Sequence, residues 1–334
     1  MSLRAVTRAV RDALGALPPA ARSAPPLVAC SGGPDSVALA AATRAVRADV
    51  CAAVVDHGLQ EGSAAQAAAT VELLAGLGVP AVVHPVRVDG PGGIEAAARR
   101  ARYGALEAAR PHPESPVLLG HTLDDQAETV LLGLGRGSGG RSLAGMRAWH
   151  APWLRPLLRV RRTETVAACA ELGIEPWCDP HNTDPRFTRV RLRAEVLPLL
   201  EDVLAGGVAE ALARTAEQLR EDTDVLDALA ADLLGAAHTG EGLDCAVLAA
   251  APPALRRRAV RAWLADRAVT GLTAEHLGAA DRLVTGKRDG SGVALPGGCE
   301  LHRAHGRLDV LPIGWPAGVP TTPTPTEGRQ RVRR

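Results

Sequence analysis

Lysine is almost absent from this chain: of 38 lysine and arginine residues in 334, only Lys287 is a lysine. That excludes a Walker A phosphate loop, which needs Gly-x-x-x-x-Gly-Lys-[Ser/Thr]. Aromatic residues are nearly as scarce, with one Phe, one Tyr and five Trp. Base stacking on Phe or Tyr is therefore not a main device here. The six cysteines (30, 51, 169, 178, 245 and 299) are scattered and never form Cys-x-x-Cys, which leaves zinc, iron–sulfur and dithiol chemistry unsupported. No apolar run approaches about 18 residues and no signal-peptide pattern is present, so a cytoplasmic protein is expected. A net charge of +1 does not mark a nucleic-acid binder, although local clusters can still act. What remains is 46% hydrophobic and 22% charged, a globular composition for one large or two medium domains. The excess of Arg, Ala and Gly reads as a GC-rich coding bias.

Against that background, Cys30-Ser31-Gly32-Gly33-Pro34-Asp35-Ser36 stands out. It follows the apolar run Leu27-Val28-Ala29 and precedes Val37-Ala38-Leu39-Ala40-Ala41, which predicts a helix start. Strand, glycine turn and helix together put backbone N–H groups around a phosphate. Gly32 and Gly33 let the chain turn tightly and approach a ligand, and Ser31 and Ser36 add hydroxyl groups. Asp35 would repel polyphosphate unless a cation lay between them, and a shared Mg²⁺ resolves that conflict. A serine-glycine turn that binds nothing is the bland alternative.

Strands are predicted at 27–30, 50–55, 81–86 and 116–119, and helices at 3–16, 63–77, 94–109 and from 123. This alternation predicts a Rossmann-like α/β domain, a parallel sheet with helices on both faces. Ligands of such sheets sit at the carboxyl ends of strands, where Ser31–Ser36, Asp56-His57 and Gly120–Glu128 all fall. Past Pro198, residues 199–236 read as helical, 252–286 as two helices and 291–312 as a β-hairpin with turn signals at Pro296-Gly297-Gly298 and His305-Gly306. The expected division is a first domain over 1–202, a smaller, mostly helical domain over 203–314, and a disordered basic tail over 315–334, rich in Pro and Thr.

Two further segments carry chemistry. In Gly120-His121-Thr122-Leu123-Asp124-Asp125-Gln126-Ala127-Glu128, Asp124 and Asp125 lie in a first helical turn, where the dipole favours anions. Asp125 and Glu128 are three apart and share a face, suiting a metal or a cationic amine; simple capping is the alternative. The helix runs into Arg136-Gly137-Ser138-Gly139-Gly140-Arg141, which suits phosphate groups or is a flexible basic loop. The second segment, Asp179-Pro180-His181-Asn182-Thr183-Asp184-Pro185-Arg186-Phe187-Thr188-Arg189-Val190-Arg191-Leu192-Arg193, holds four arginines within eight residues. Planar guanidinium forks match phosphates; a solvated charge run is the alternative.

Together these segments resemble the tRNA(Ile)-lysidine synthetases, a branch of the N-type ATP pyrophosphatases or PP-loop superfamily. S-G-G-x-D-S marks the superfamily. The branch is marked by G-H-x-x-D-D-Q-x-E-T-x-L-x-x-L-x-R-G-S-G, by Leu154-Arg155-Pro156-Leu157-Leu158 and by D-P-x-N-x-D-x-R-F-x-R-x-x-L-R-x-x-V-L-P-L-L. Val190 replaces the usual Asn, and Cys178 a usual acid. The length is similar to the family's short form.

The resemblance implies an enzyme that uses ATP and Mg²⁺ to join L-lysine to C2 of cytidine 34 in the CAU anticodon of tRNA(Ile). It implies an adenylated cytidine intermediate and release of diphosphate and AMP. Ser31, Gly32, Gly33, Pro34 and Ser36 would cradle the pyrophosphate, with Asp35 on the metal. Asp56 and His57 would border the adenosine, with Arg136 and Gly137 also on the nucleotide. Asp125 and Glu128 would receive lysine, and His121 would serve as base or relay. Arg141, Asn182, Phe187, Arg189 and Arg193 would meet tRNA, Phe187 by stacking on a base or else as a small-core anchor. The second domain would bind substrate tRNA, and a homodimer is implied as well.

Three rivals share parts of this pattern. A tRNA thiolase would want paired cysteines near the site, and a glutamine-using synthetase would need a further domain. A nucleotide-binding RNA module without catalysis would not need Asp35 or the carboxylate pair.

Overall fold

The computed structural model describes residues 2–60, 62–90, 93–137, 139–177, 184–286 and 288–312. The chain divides into two compact units, Met1–Gln218 and Leu219–Arg334.

In the first unit, strands β1 (Leu27–Ala29), β2 (Cys51–Asp56), β3 (Ala81–Pro85), β4 (Val117–Leu119), β5 (Trp149–His150) and β6 (Trp153–Leu154) form one sheet. Their order is β3-β2-β1-β4-β6-β5. Every neighbouring pair is parallel except β5 with β6. The helices are α1 (Ser2–Gly15), α2 (Pro19–Ser23), α3 (Pro34–Val46), α4 (Ser63–Gly76), α5 (Gly93–Ala108), α6 (Leu123–Arg136), α7 (Gly140–Leu143), α8 (Arg162–Glu171), α9 (Thr188–Arg191) and α10 (Leu197–Val203). A π-helical turn, Leu192–Val196, joins the last two.

Side chains alternate across each strand. Val28, Ala52, Val54 and Leu118 enter one core with Val6 of α1, Leu39 of α3, Leu74 of α4 and Ala168 of α8. Leu27, Ala53, Val117 and Leu119 enter a second with Leu106 and Tyr103 of α5. Both faces are covered, which is why these strands read as continuous apolar runs. This is the Rossmann-like sheet that the alternating pattern predicts.

The chain builds β1, β2 and β3 outward, then returns to place β4 on the other side of β1. That reversal opens a crevice at the carboxyl ends of β1 and β4. Gly120, just past β4, fits against the first turn of α3. A Cβ there would stand 3.1 Å from the Asp35 carbonyl carbon.

Helix α11 (Val208–Ala237) supplies residues to both units. The second unit holds β7 (His238–Thr239), β8 (Gly242–Asp244), α12 (Cys245–Ala250), α13 (Pro253–Asp266), α14 (Ala274–Thr285), β9 (Ser291–Leu295), β10 (Cys299–Ala304) and β11 (Arg307–Pro312). The strands form an antiparallel sheet ordered β7-β8-β11-β10-β9. Residues 291–312 make a three-strand meander rather than one hairpin, because each turn signal reverses the chain. His305 and Gly306 both have positive φ, as a two-residue hairpin turn requires. Strands β7 and β8 escape sequence reading because two or three residues are too few to show alternation. Trp263, Leu264, Leu301 and Leu308 centre the core of this unit.

Among the described residues, no helix is long and apolar enough to cross a membrane. Asn182, Cys178 and the 315–334 tail lie outside the described residues.

Candidate active site

The Ser31–Ser36 loop is held from within. The Ser31 N–H donates to Ser36 Oγ (3.1 Å), and the Ser36 hydroxyl donates to the Gly33 carbonyl (2.9 Å). Ser36 is buried and Ser31 exposed, so Ser36 shapes the loop while Ser31 faces outward. Gly32 has φ +85°, and a Cβ there would lie 2.6 Å from Thr70 Oγ1; a side chain at 32 is excluded on both counts. The Trp177 N–H donates to the Gly32 carbonyl (3.0 Å). Gly33 caps α3 in an extended conformation and Pro34 opens its first turn. The positive end of the helix dipole therefore faces the loop.

Asp35 points from that first turn into a network of guanidinium groups and carboxylates. Arg162 Nε donates to Asp35 Oδ2 (3.2 Å), and the Thr165 hydroxyl donates to Asp35 Oδ1. Arg162 Nη2 donates to Asp125 Oδ1 (2.6 Å), while its Nη1 lies 3.7 Å from Glu128 Oε1. Arg193 closes the far side, with Nε donating to Glu128 Oε1 (2.8 Å) and Nη2 to Asp125 Oδ1 (3.4 Å). Asp125 also completes a capping box: its Oδ2 accepts the Thr122 N–H at 2.8 Å. The first turn of α8 is docked by Asp124, whose Oδ2 accepts the Arg162 N–H (2.7 Å). That bond sets where the Arg162 side chain begins.

The three carboxyl groups differ electrostatically. Burial pushes Asp35 up, against the pull of Arg162 and Thr165. Burial likewise raises the fully buried Glu128 against Arg193. At Asp125 burial is outweighed by Arg162, the Thr122 N–H, His121 and Arg193, and its carboxyl is held below the usual range. Three carboxylates face two guanidinium groups, which leaves one negative charge for a further cation.

Past β4, His121 offers a buried Nδ1 with no hydrogen-bond partner among the described residues. Burial, together with Arg155, Arg102 and Arg99 and against Asp125, pushes it down to about 4. His57, past β2, is similar: its Nδ1 is buried without a hydrogen-bond partner among the described residues, and burial and Arg102 lower its pKa. Asp56 is turned to its own loop, accepting the Gly58 N–H at 2.9 Å.

A family model described as the PP-loop domain matches residues 6–200, and one described as the TilS substrate binding domain matches residues 243–308. The tRNA(Ile)-lysidine synthase of Mycolicibacterium paratuberculosis is 60% identical over 269 residues, 80% of this chain and 83% of that protein. The enzyme of the same name from Nocardia farcinica is 61% identical over 272 residues, covering 81% and 85%. The chain belongs to the tRNA(Ile)-lysidine synthase family. Among solved structures, the U34-tRNA thiolase NcsA from Methanococcus maripaludis with its [4Fe-4S] cluster superposes with a TM-score of 0.54 at 18% identity. The match covers 66% of this chain and 80% of that one, and shows a shared fold.

The network contains two residues that sequence reading missed, Arg162 and Thr165. Neither belongs to a motif; the only local signal is a capping pattern, in which Glu164 accepts the Arg161 N–H (3.0 Å). Arg193, expected to meet tRNA, instead directs its guanidinium to Glu128 and Asp125. Phe187 is 39% exposed at the head of α9, so it does not anchor a core. Arg189 is exposed on the same short helix. Arg136 and Gly137 end α6 and Arg141 lies on α7. Arg136 stands eleven positions after Asp125, about 16 Å along a helix, so α6 carries it and Gly137 away from the carboxylate network. Gln126 ties the 140–146 loop to α6, bonding both the N–H and the carbonyl of Met146.

The residues around Asp35 fit a magnesium ion of the substrate-bound kind. Mg²⁺ is usually held by one or two carboxylates together with substrate phosphates. Asp35 is a single carboxylate beside a phosphate-type loop, with one-fifth of its side chain exposed. Among the described residues no group of three or more His, Cys, Asp or Glu side chains forms a closed metal site.

Proposed function

We propose that the chain ligates L-lysine to C2 of cytidine 34 in the CAU anticodon of tRNA(Ile), with ATP as the activating substrate. The observation that carries this reading is the pairing of two acidic sites at one crevice: Asp35 at the phosphate-type loop, and Asp125 with Glu128 beside it, one cation short of neutrality. In the first step the cytidine O2 attacks the α-phosphate, a P–O bond breaks and diphosphate leaves. In the second the lysine ε-amine attacks C2, the C2–O bond breaks and AMP leaves.

Each residue has a task in this scheme. Gly32, Gly33 and the α3 N-terminus receive the diphosphate, with the Ser31 hydroxyl at the loop surface. Asp35 would hold Mg²⁺, which supplies charge neutralisation at the phosphates. Asp125 and Glu128 receive the ε-ammonium. That group has a reference pKa of about 10.4 and must lose a proton before attack. His121 is neutral at pH 7, and its bare Nδ1 suits it to relay that proton rather than to keep it. His57 and Asp56 border the nucleoside, and Arg189 and Phe187 offer exposed groups to tRNA.

A thiolase reading has one point in its favour, two cysteines at the loop. Cys30 Sγ lies 3.5 Å from Ser36 Oγ, and Cys169 Sγ 3.4 Å from the Pro34 carbonyl. Burial raises both thiols, Cys169 to about 11, so neither is a ready thiolate.

The deciding test is incorporation of labelled lysine into a CAU-anticodon tRNA(Ile) transcript with ATP and Mg²⁺, beside an initiator tRNA(Met) and a C34→U transcript. Incorporation into the first alone is expected. AMP release on another tRNA without lysine incorporation would overturn the substrate.

A further inference from the structure

Arg162 faces three carboxylates with three different nitrogens: Nε on Asp35, Nη2 on Asp125 and Nη1 towards Glu128. In the proposed scheme these are the groups that receive the two cations of the reaction. One guanidinium thus occupies both cation sites at once, which its planar fork allows and a point charge does not. Its backbone N–H is fixed by Asp124, so the side chain swings from a firm base. Its side chain is 21% exposed, and release from any one carboxylate leaves it the others.

We propose that Arg162 is a positioning residue that serves as resident counter-ion of both acidic sites, holding Asp35 and the Asp125/Glu128 pair until Mg²⁺ and the lysine ammonium displace it from each. This rests on the functional reading above. Without the guanidinium, three carboxylates within its reach would repel one another, and each site would lose its set direction. With it, an incoming cation must compete for its carboxylate. Displaced from Asp35 by a cation held there, Arg162 would keep Asp125 and Glu128 and guard them. Returning to Asp35 once that cation was gone, it would leave the pair open to the amine.

The sign of the effect on binding separates this role from a merely structural one. Damage to a site weakens its ligands, whereas loss of a resident competitor tightens them. In Arg162→Gln, Mn²⁺ titrated by EPR in the presence of α,β-methylene-ATP should bind at least about fivefold tighter than in wild type. Lysine measured calorimetrically should also tighten, while lysine transfer to tRNA falls. Should Arg162→Gln not fold, Arg162→Gln/Glu128→Gln removes one charge of each sign, and its Mn²⁺ affinity is compared with that of Glu128→Gln alone. Unchanged or weaker Mn²⁺ binding in the variant would overturn the inference while leaving the lysine reading intact. Failure of the wild type to incorporate labelled lysine into the tRNA would overturn both.

Discussion

Gly120 rests against the main chain of Asp35: a Cβ at position 120 would stand 3.1 Å from the Asp35 carbonyl carbon and 3.1 Å from the Ser36 nitrogen. The end of β4 thus sets the position of the first turn of α3, and with it the carboxylate proposed to hold the metal. A backbone neighbour cannot swing aside as a side-chain tip can. Gly120→Ala should therefore shift that turn at a cost of about 1–3 kcal/mol, typical of overpacking. Diphosphate release should fall at least about tenfold while the circular dichroism spectrum stays native. Full activity in this variant would show that the loop tolerates displacement.

The two acidic sites should fail differently. Asp35→Ala is expected to abolish tRNA-dependent diphosphate release. Asp125→Asn, which keeps the shape of the α6 cap, should leave diphosphate release within a few-fold of wild type and cut lysine incorporation at least about a hundredfold. Single-turnover assays of each step separate the two. Equal loss of both steps in Asp125→Asn would contradict the division of roles.

His121 makes a prediction about pH. Its folded pKa of about 4 lies below the unfolded value of about 6.5. The unfolded chain therefore binds the extra proton first as pH falls, and stability drops from about pH 6.5 down to about pH 4. Asp35 and Glu128, raised by burial, act with the opposite sign above the usual carboxylate range. The informative quantity is thus the difference between wild type and His121→Asn. Urea denaturation across pH 4–7 should show a shallower acid loss in the variant.

In the second unit the exposed charge budget hides one buried pair. Arg256 is 8% exposed, donates to Asp281 Oδ1 (2.8 Å) and to the Ala251 carbonyl (2.6 Å), and joins α13 to α14. Arg256→Ala would leave Asp281 to Arg257 alone and take the Arg256 donor from the Ala251 carbonyl. A loss of about 3 kcal/mol is expected, read as faster hydrogen exchange in α13 and α14. Arg257→Ala, at an exposed position, should change little.

Arg189, exposed on α9, is a candidate phosphate contact. Arg189→Ala should weaken tRNA binding and lower the salt dependence of log K by about one. An unchanged slope would remove it from the interface.

The sheet and the loop were legible because they rest on local pattern. Leu27-Val28-Ala29 is apolar on both faces, Gly32 must adopt a positive φ, and Pro34 can only open a helix. Each of these is decided within a few residues, and the Asp125–Glu128 spacing is likewise a property of one helix. Five-stranded pairing in the second unit was not legible, because β7 and β8 are too short to carry a period. Nor was the centre of the site. Arg162 lies 127 positions from Asp35 and 37 from Asp125, in a segment whose sequence shows only a helix start. What brings it there is the packing of α8 beside α3 and the Asp124 bond to its backbone. The sequence by itself determined which carboxylates are present and on which elements. Only the tertiary structure decided that they share a guanidinium, because ion pairing depends on distances between side chains that chain order does not contain.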